Sequence, residues 1–186
     1  MKMNLITNSK NDEYYTPIYA IMPLIEFLKP KSSIWCPFDT GDSYYVKIFK
    51  GLGFDVAYTH KSTGQDFFKT RIDADYIISN PPYSMKTEIF ERLFAFNTPF
   101  AMLTGLPGLF ESKRRFDLFK SNSFEMLYFN KRISFFKDYC DQKPSINPPF
   151  SSAYVCKGIL PEKIVFKEFL NMQLNDLESN LRQVLF

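Results

Sequence analysis

Short apolar segments alternate with helix-like segments along most of the chain, and this alternation restricts the fold more than any other feature. Short apolar runs predict buried strands, and apolar residues at intervals of three and four predict helices. Strands alternating with helices predict an α/β protein with a doubly wound, mostly parallel sheet and helices on both faces. The strands are predicted at 33–36, 54–59, 76–78, 100–103, 125–129 and 153–157, and the helices at 16–29, 45–52, 85–96 and 113–120.

Length and composition indicate one globular domain. The chain has 186 residues, of which 45% are hydrophobic and 23% charged, which excludes a disordered chain or a fibre. We expect a single domain over 1–186, with a loose N-terminus at 1–13, a helical extension at 161–186 and no separate target-recognition domain. Without roughly 20 consecutive apolar residues or a signal peptide, the expectation is a soluble cytoplasmic protein with no membrane partner.

Cysteine content and net charge limit the chemistry further. The three cysteines, Cys36, Cys140 and Cys156, lie in no Cys-x-x-Cys or Cys/His array, so neither a disulfide framework nor a metal site is predicted. A net charge of +3 permits a polyanionic partner without demanding one. An aromatic content of 18% would, beyond the needs of a core, suit a protein that stacks on flat rings.

The most informative segment is Asn80-Pro81-Pro82-Tyr83, which follows an apolar strand and precedes a helix. Parallel sheets bind ligands at the carboxyl ends of their strands, where this turn lies. Two prolines remove two backbone donors, which leaves the Asn80 side-chain oxygen and the Pro81 carbonyl as a pair of acceptors. Such a pair suits an exocyclic NH2 group, and Tyr83 can stack on the ring that carries it. The alternative is a rigid turn that only ends the strand.

A second Asn-Pro-Pro-aromatic segment, 147–150, follows a polar loop instead of an apolar strand. By the same criterion it is not the first choice for binding an amine. The favoured interpretation is a plain loop before the last strand, and the alternative is a loop that brings Phe150 to the rim of the pocket.

In this order the segments resemble S-adenosylmethionine-dependent amino-methyltransferases, and most of all the small phage-type DNA adenine-N6 methyltransferases, over residues 13–160. The 80–83 turn fits the catalytic motif of that family. The segment 15–17 resembles the motif that contacts the methionine part of the cofactor, and the loop 35–43 stands where the first-strand cofactor loop belongs. The segment 64–68 resembles the element that faces the cofactor's adenine, and 150–153 resembles the loop that holds the target base.

The resemblance implies a Rossmann-like class I methyltransferase fold and S-adenosylmethionine as cofactor. It implies direct methyl transfer to an exocyclic amine, with adenine N6 in DNA as the first choice, and a target base held by Tyr83 and Phe150. The implied catalytic residues are Asn80, Pro81, Pro82 and Tyr83, and the implied cofactor-binding residues are Tyr15, Thr16, Pro17, Pro37, Phe38, Asp39, Thr40, Gly41, Thr59, His60, Asp66, Phe67 and Asn80.

The loop after the first strand has chemistry compatible with such a cofactor. Gly41 lets the backbone approach a ligand closely, and Asp39 or Asp42 can accept from the cofactor's ammonium group. The alternative is that Asp42 or Ser43 caps the next helix. Related enzymes usually have more glycine in this loop, which here contains only Gly41.

Two later loops would contact the adenine and the ribose. Asp66 can accept from the adenine amine, and Phe67 or Phe68 can flank the ring; the alternative is that both rings belong to the core. Related enzymes end the second strand with an acid that binds the ribose hydroxyls. Here only Thr59 or His60 can accept a hydroxyl, more weakly than a carboxylate would.

Basic residues predict where a nucleic acid would be held. Lys113, Arg114 and Arg115 open a helix, and Lys131-Arg132 follows a late strand. Phosphate contacts there would weaken with salt, but for either cluster taken alone the favoured interpretation is a solvated charged face. The expected lack of an extra substrate-binding domain and the Tyr-Thr-Pro start favour adenine in DNA over a protein glutamine or an RNA guanine, and RNA adenine remains open.

Other interpretations remain open. RNA adenine or guanine, or a protein glutamine, presents the same amine chemistry. The missing acid after the second strand leaves open a catalytically inactive protein that only binds nucleic acid or another protein. Leucines spaced by three and four between 170 and 184 predict packing on the same domain or, alternatively, a homodimer through the C-terminal helix.

Overall fold

The computed structural model describes residues 15–136 and 148–169. Its strands are β1 Ser33–Cys36, β2 Asp55–Tyr58, β3 Tyr76–Ser79, β4 Phe100–Gly105, β5 Glu125–Phe129, β6 Ser152–Lys157 and β7 Ile164–Lys167. Its α-helices are α1 Ile18–Ile25, α2 Tyr44–Gly51, α3 Lys86–Phe96 and α4 Lys113–Ser121. Short 3-10 turns cover Lys61–Thr63 and Tyr83–Met85.

The strands form one sheet in the order β2-β1-β3-β4-β6-β5-β7. Neighbouring strands are parallel except at β6, which is antiparallel to both β4 and β5. The predicted fold class is therefore confirmed: the sheet is mostly parallel and Rossmann-like. From β1 the chain passes to β2 on one side, and it then returns to form β3 on the other side of β1. The strand order therefore reverses between β1 and β3, which is where such sheets bind ligands.

Helices cover both faces of the sheet, as predicted. Successive strand residues point to opposite faces, and the buried residues accordingly form two clusters. Ile34 and Ile78 belong to the cluster that contains α1 and α2. Trp35 and Ile77 belong to the cluster that contains α3 and the buried face of α4. The central strands are thus apolar on both sides, which explains why their sequences appear as continuous apolar runs.

Helix α1 begins later and ends earlier than its sequence predicts. Pro17 occupies the N-cap and the helix starts at Ile18, so the expectation of Thr16 as N-cap is wrong. The helix contains Pro23 and ends at Ile25. Thr16 is instead buried next to the domain core.

The predicted helical extension over 161–186 is wrong in its first part. Residues 164–167 form β7, which pairs in parallel with β5. This pairing satisfies the backbone groups of a segment whose side chains are largely exposed. The predicted leucine seam at 170–184 lies outside the described residues.

Candidate functional site

The loop after β1 is joined to the end of β3 by a buried carboxylate. Asp39 accepts hydrogen bonds from the hydroxyls of Ser43 and Ser79, one on each carboxylate oxygen. Ser79 is the last residue of β3 and immediately precedes Asn80. The loop predicted to bind a cofactor and the turn predicted to bind an amine are therefore neighbours, linked through one side chain.

Burial makes the protonation of Asp39 unusual. Desolvation raises the pKa of this carboxyl, and the two serine hydrogen bonds lower it by less, so the pKa is about 6. Because both oxygens of Asp39 face serines inside the protein, the side chain is placed to position the loop. Asp39 and Asp42 are the two predicted acceptors for an ammonium group. Of these, only Asp42 is exposed at the surface.

The 80–83 turn is stiffened by its two prolines and partly buried. Pro81 is buried, and Pro82 has the extended geometry that leads into the 3-10 turn at Tyr83. The side-chain oxygen of Asn80 and the hydroxyl of Tyr83 are both shielded from solvent. The turn therefore lies partly buried at the carboxyl edge of the sheet.

Phe150 lies against this turn, as the alternative interpretation of 147–150 predicts. The ring centroids of Tyr83 and Phe150 are 6.0 Å apart, with an interplanar angle of 61°. Gly105, at the end of β4, makes the approach possible: a Cβ there would lie 2.8 Å from Phe150 Cε2 and 3.2 Å from Tyr83 Cε2. Asn147 lies outside the described residues.

Lys86 also belongs to the site, although the sequence interpretation did not include it. Its ammonium group donates to the carbonyl oxygens of Gly105, at 2.7 Å, and Pro107, at 3.0 Å. It also lies 5.3 Å from the centroid of the Tyr83 ring, a favourable cation–π distance. Lys86 therefore ties the start of α3 to the segment after β4, with Tyr83 beside it.

The predicted ribose contacts are arranged differently from the expectation. The buried Thr59 hydroxyl accepts from the Trp35 indole N–H at 3.0 Å and donates to the Pro37 carbonyl at 3.4 Å. His60 contacts Ser62 through Nδ1 at 2.6 Å and caps the following 3-10 turn. Thr59 thus faces the interior, and a ribose contact from this strand would have to come from His60.

The predicted adenine-facing element divides into a core residue and a polar loop residue. Phe67 is buried and its ring centroid lies 4.8 Å from that of the half-buried Phe38. Asp66 Oδ1 accepts from the Phe68 amide at 2.9 Å. The alternative that Phe67 belongs to the core is therefore correct, and Phe38 is the ring of this pair that reaches the surface.

The remaining predicted cofactor residues have contacts of their own within the protein. The Tyr15 backbone pairs with Phe136, and a Cβ on Gly41 would lie 3.3 Å from the Tyr58 hydroxyl. Ser43 caps α2 by accepting from the Tyr45 amide, as one alternative predicts. The other predicted residues are buried Thr16, Pro17 and Pro37 and half-buried Thr40.

The predicted basic cluster on α4 is held by contacts within the protein. Lys113 bonds to Asp117 at 2.6 Å, and Arg114 makes a two-point contact with Glu91. Arg115 donates to Gly108 O and to the Thr87 hydroxyl, each at 2.8 Å. The carboxylate partners offset part of the positive charge of Lys113 and Arg114, whereas the partners of Arg115 are neutral.

Three further features concern metal binding, cysteine reactivity and membrane-spanning helices. Within 15–136 and 148–169, no group of three or more His, Cys, Asp or Glu residues is arranged to hold a metal ion. Burial raises the pKa of the Cys36 and Cys156 thiols, which disfavours the reactive thiolate. No helix of the described part of the chain has the length and apolarity to cross a bilayer.

Comparisons with known proteins give a distant likeness. No protein-family model and no curated protein matches the chain. One similar solved structure is a modification subunit of a putative type I restriction enzyme from Vibrio vulnificus, with 10% identity and a TM-score of 0.47. The match covers 92% of this chain and 53% of that subunit, so the chain spans about half its length. A likeness at this level does not assign an activity.

Proposed function

We propose that this protein is an S-adenosylmethionine-dependent methyltransferase that acts on an exocyclic amine, with adenine N6 in DNA as the first candidate. One observation carries the proposal: the Asn-Pro-Pro-Tyr turn follows β3 and is joined through Ser79 and Asp39 to the loop after β1. Ligands of open α/β sheets bind where the strand order reverses, which is between these two strands. A molecule on the loop and a molecule on the turn would be neighbours.

The 80–83 turn supplies the amine contacts. The Asn80 side-chain oxygen and the Pro81 carbonyl accept the two amine hydrogens, because neither proline presents a competing N–H. Accepting both hydrogens holds the nitrogen lone pair away from the ring and directs it to the methyl donor. Tyr83, with Phe150 beside it, provides an aromatic surface for the ring that bears the amine.

The loops at this edge fit the proposed cofactor in most of its parts. Asp42 is an exposed carboxylate for the ammonium group, and Asp66 presents Oδ2 to the adenine amine because Oδ1 is occupied by Phe68. The half-buried Phe38 ring can lie against the adenine. When bound, S-adenosylmethionine supplies an electrophilic methyl group on its sulfonium. The ribose receives no acid, which predicts weaker binding than a carboxylate would give.

A labelled-methyl transfer assay against DNA, RNA and protein tests the proposal. Asn80→Ala should abolish transfer while calorimetry shows cofactor binding near that of the wild type. The matched control is Asn122→Ala, since Asn122 lies before the amino end of β5, at the opposite edge, and donates to Leu118 O. Full transfer by Asn80→Ala would remove the assigned amine acceptor. Transfer to RNA or to a protein glutamine would change the substrate and keep the chemistry.

A second candidate function is a methyltransferase-like binding module without activity. One observation in its favour is that Asp39 and the Thr59 hydroxyl form hydrogen bonds with other side chains inside the protein. Another is that no acid directly follows β2. Both features remove polar groups that would otherwise contact a cofactor. Calorimetry with millimolar S-adenosylmethionine separates the two candidates, because an inactive module would give no heat.

A further inference from the structure

A cleft of about 440 Å³ lies at the carboxyl ends of β5 and β7, apart from the 80–83 turn. It is lined by the segments 128–132 and 166–168 and by Ser151. We call it the β5–β7 cleft. Its volume lies in the range of pockets that hold small ligands, and a single nucleotide falls within that range.

One wall of the cleft is aromatic and unusually exposed. Phe166 has 73% of its surface exposed, which is the largest fraction among the large hydrophobic residues that the structure describes. Its ring centroid lies 5.9 Å from that of Tyr128, its partner across the β5–β7 pair. The interplanar angle is 66°, so Tyr128 packs edge-on against Phe166, and the exposed face of Phe166 is the surface on which a flat base can stack.

The polar lining of the cleft is mainly positive. Lys131 and Arg132 follow β5 and are exposed, and the half-buried Lys167 also lines the cleft. Glu168 is the one acid among the lining residues, and Lys167 bonds to Glu26 at 2.7 Å. Cations beside aromatic rings suit a nucleotide, which combines a phosphate with a flat base.

The segment 150–151 connects the cleft to the proposed amine site. Ser151 lines the cleft and directly follows Phe150, whose ring lies 6.0 Å from that of Tyr83. The Leu106 amide donates to Ser151 O at 3.0 Å, which fixes this segment beside the end of β4. A strand whose target base lies at Tyr83 would therefore place a neighbouring nucleotide near Ser151.

We propose that the β5–β7 cleft binds a nucleotide adjacent to the target nucleotide in a single-stranded stretch of nucleic acid. The base stacks on Phe166, which Tyr128 supports edge-on, and its phosphate contacts Lys131 and Arg132. The position next to a methylated base rests on the proposed function. Binding of single-stranded nucleic acid by the cleft does not.

Oligo(dT) tests the cleft separately from the amine site, because thymine carries no exocyclic NH2. Fluorescence anisotropy with a labelled single strand, without cofactor, measures the affinity. Phe166→Ala should weaken binding roughly tenfold and Phe166→Trp should restore it, because stacking accepts either ring. Phe116→Ala is the matched control, since Phe116 is 54% exposed on α4 and lies outside the cleft lining. Thermal unfolding of each variant verifies its fold.

The basic residues have their own readout. The double change Lys131→Gln with Arg132→Gln should reduce the dependence of log affinity on log salt by about 0.7 for each phosphate that the protein no longer neutralises. An unchanged salt dependence would remove the phosphate assignment and overturn the proposal.

Four further outcomes decide the rest. Wild-type affinity for oligo(dT) in Phe166→Ala overturns the proposal. A change of oligomeric state in that variant, measured by light scattering, also overturns it, because the surface would then be a contact between copies of the chain. Loss of oligo(dT) binding in Phe166→Ala supports the cleft even if no methyl transfer is found. Methyl transfer with unchanged oligo(dT) binding in Phe166→Ala overturns the cleft alone.

Discussion

Replacing Asp39 by Asn removes a buried negative charge and preserves the shape of the side chain. Asp39 is 8% exposed and accepts from Ser43 and Ser79. An asparagine keeps one accepting oxygen and adds an NH2 that donates to a serine oxygen. Both contacts can therefore persist, with one of them reversed, and Asp39→Asn tests the charge rather than the packing.

The magnitude follows from the pKa of Asp39. Burial raises it from 3.8 to about 6, so between these values the folded protein holds a proton that the unfolded chain has released. Stability therefore falls as pH rises through this interval. At roughly 1.4 kcal/mol per pKa unit, the ionised carboxylate lowers the free energy of unfolding by about 3 kcal/mol at neutral pH.

Urea unfolding of both proteins over a pH series from about 3.5 to about 8 measures this effect. The stability of Asp39→Asn relative to the wild type should rise by about 3 kcal/mol across the lower half of the series and stay constant above about pH 7. Other carboxyl groups titrate in both proteins and cancel in the difference. A difference that does not change with pH would refute the argument.

Two further predictions concern packing around the site. Gly105→Ala should lower the free energy of unfolding by roughly 1–3 kcal/mol because its Cβ would lie 2.8 Å from Phe150 Cε2; adding Phe150→Ala should recover part of this loss in the same urea assay. Trp35→Phe removes the N–H that Thr59 accepts and should lower stability by roughly 1–3 kcal/mol. An unfolding midpoint unchanged by Trp35→Phe would show that this hydrogen bond adds nothing to stability.

The strands that sequence predicts well are those covered on both faces. Ile34 and Trp35 of β1 belong to opposite clusters, so the strand appears as an apolar run. Strand β7 escapes detection because Ile164 is 51% exposed and Phe166 is 73% exposed. Its strand conformation depends on pairing with β5, a contact between distant parts of the chain that local patterns do not contain.

The meeting of the two loops at one edge of the sheet was predictable, whereas the hydrogen-bond partners of their side chains were not. The turn after β3 and the loop after β1 had to meet because parallel strands end at a common edge. The link from Asp39 to Ser79 spans 40 residues and the link from Trp35 to Thr59 spans 24, so neither follows from local sequence. Lys86 left a usable signal: it lies three and four residues before buried Ile89 and Phe90, on the helix face that points inward.

The raised pKa of Asp39 predicts that its ionised carboxylate makes the fold less stable than an amide of the same shape would. Stability alone therefore does not explain an acid at this position, and its effect on the surrounding potential becomes the relevant property. The proposed cofactor brings two positive charges, the sulfonium and the ammonium, to the edge that Asp39 occupies between β1 and β3. A buried anion favours cations nearby because the low local dielectric strengthens their attraction. The same carboxylate that weakens the fold at neutral pH would in this way favour cofactor binding next to Asn80.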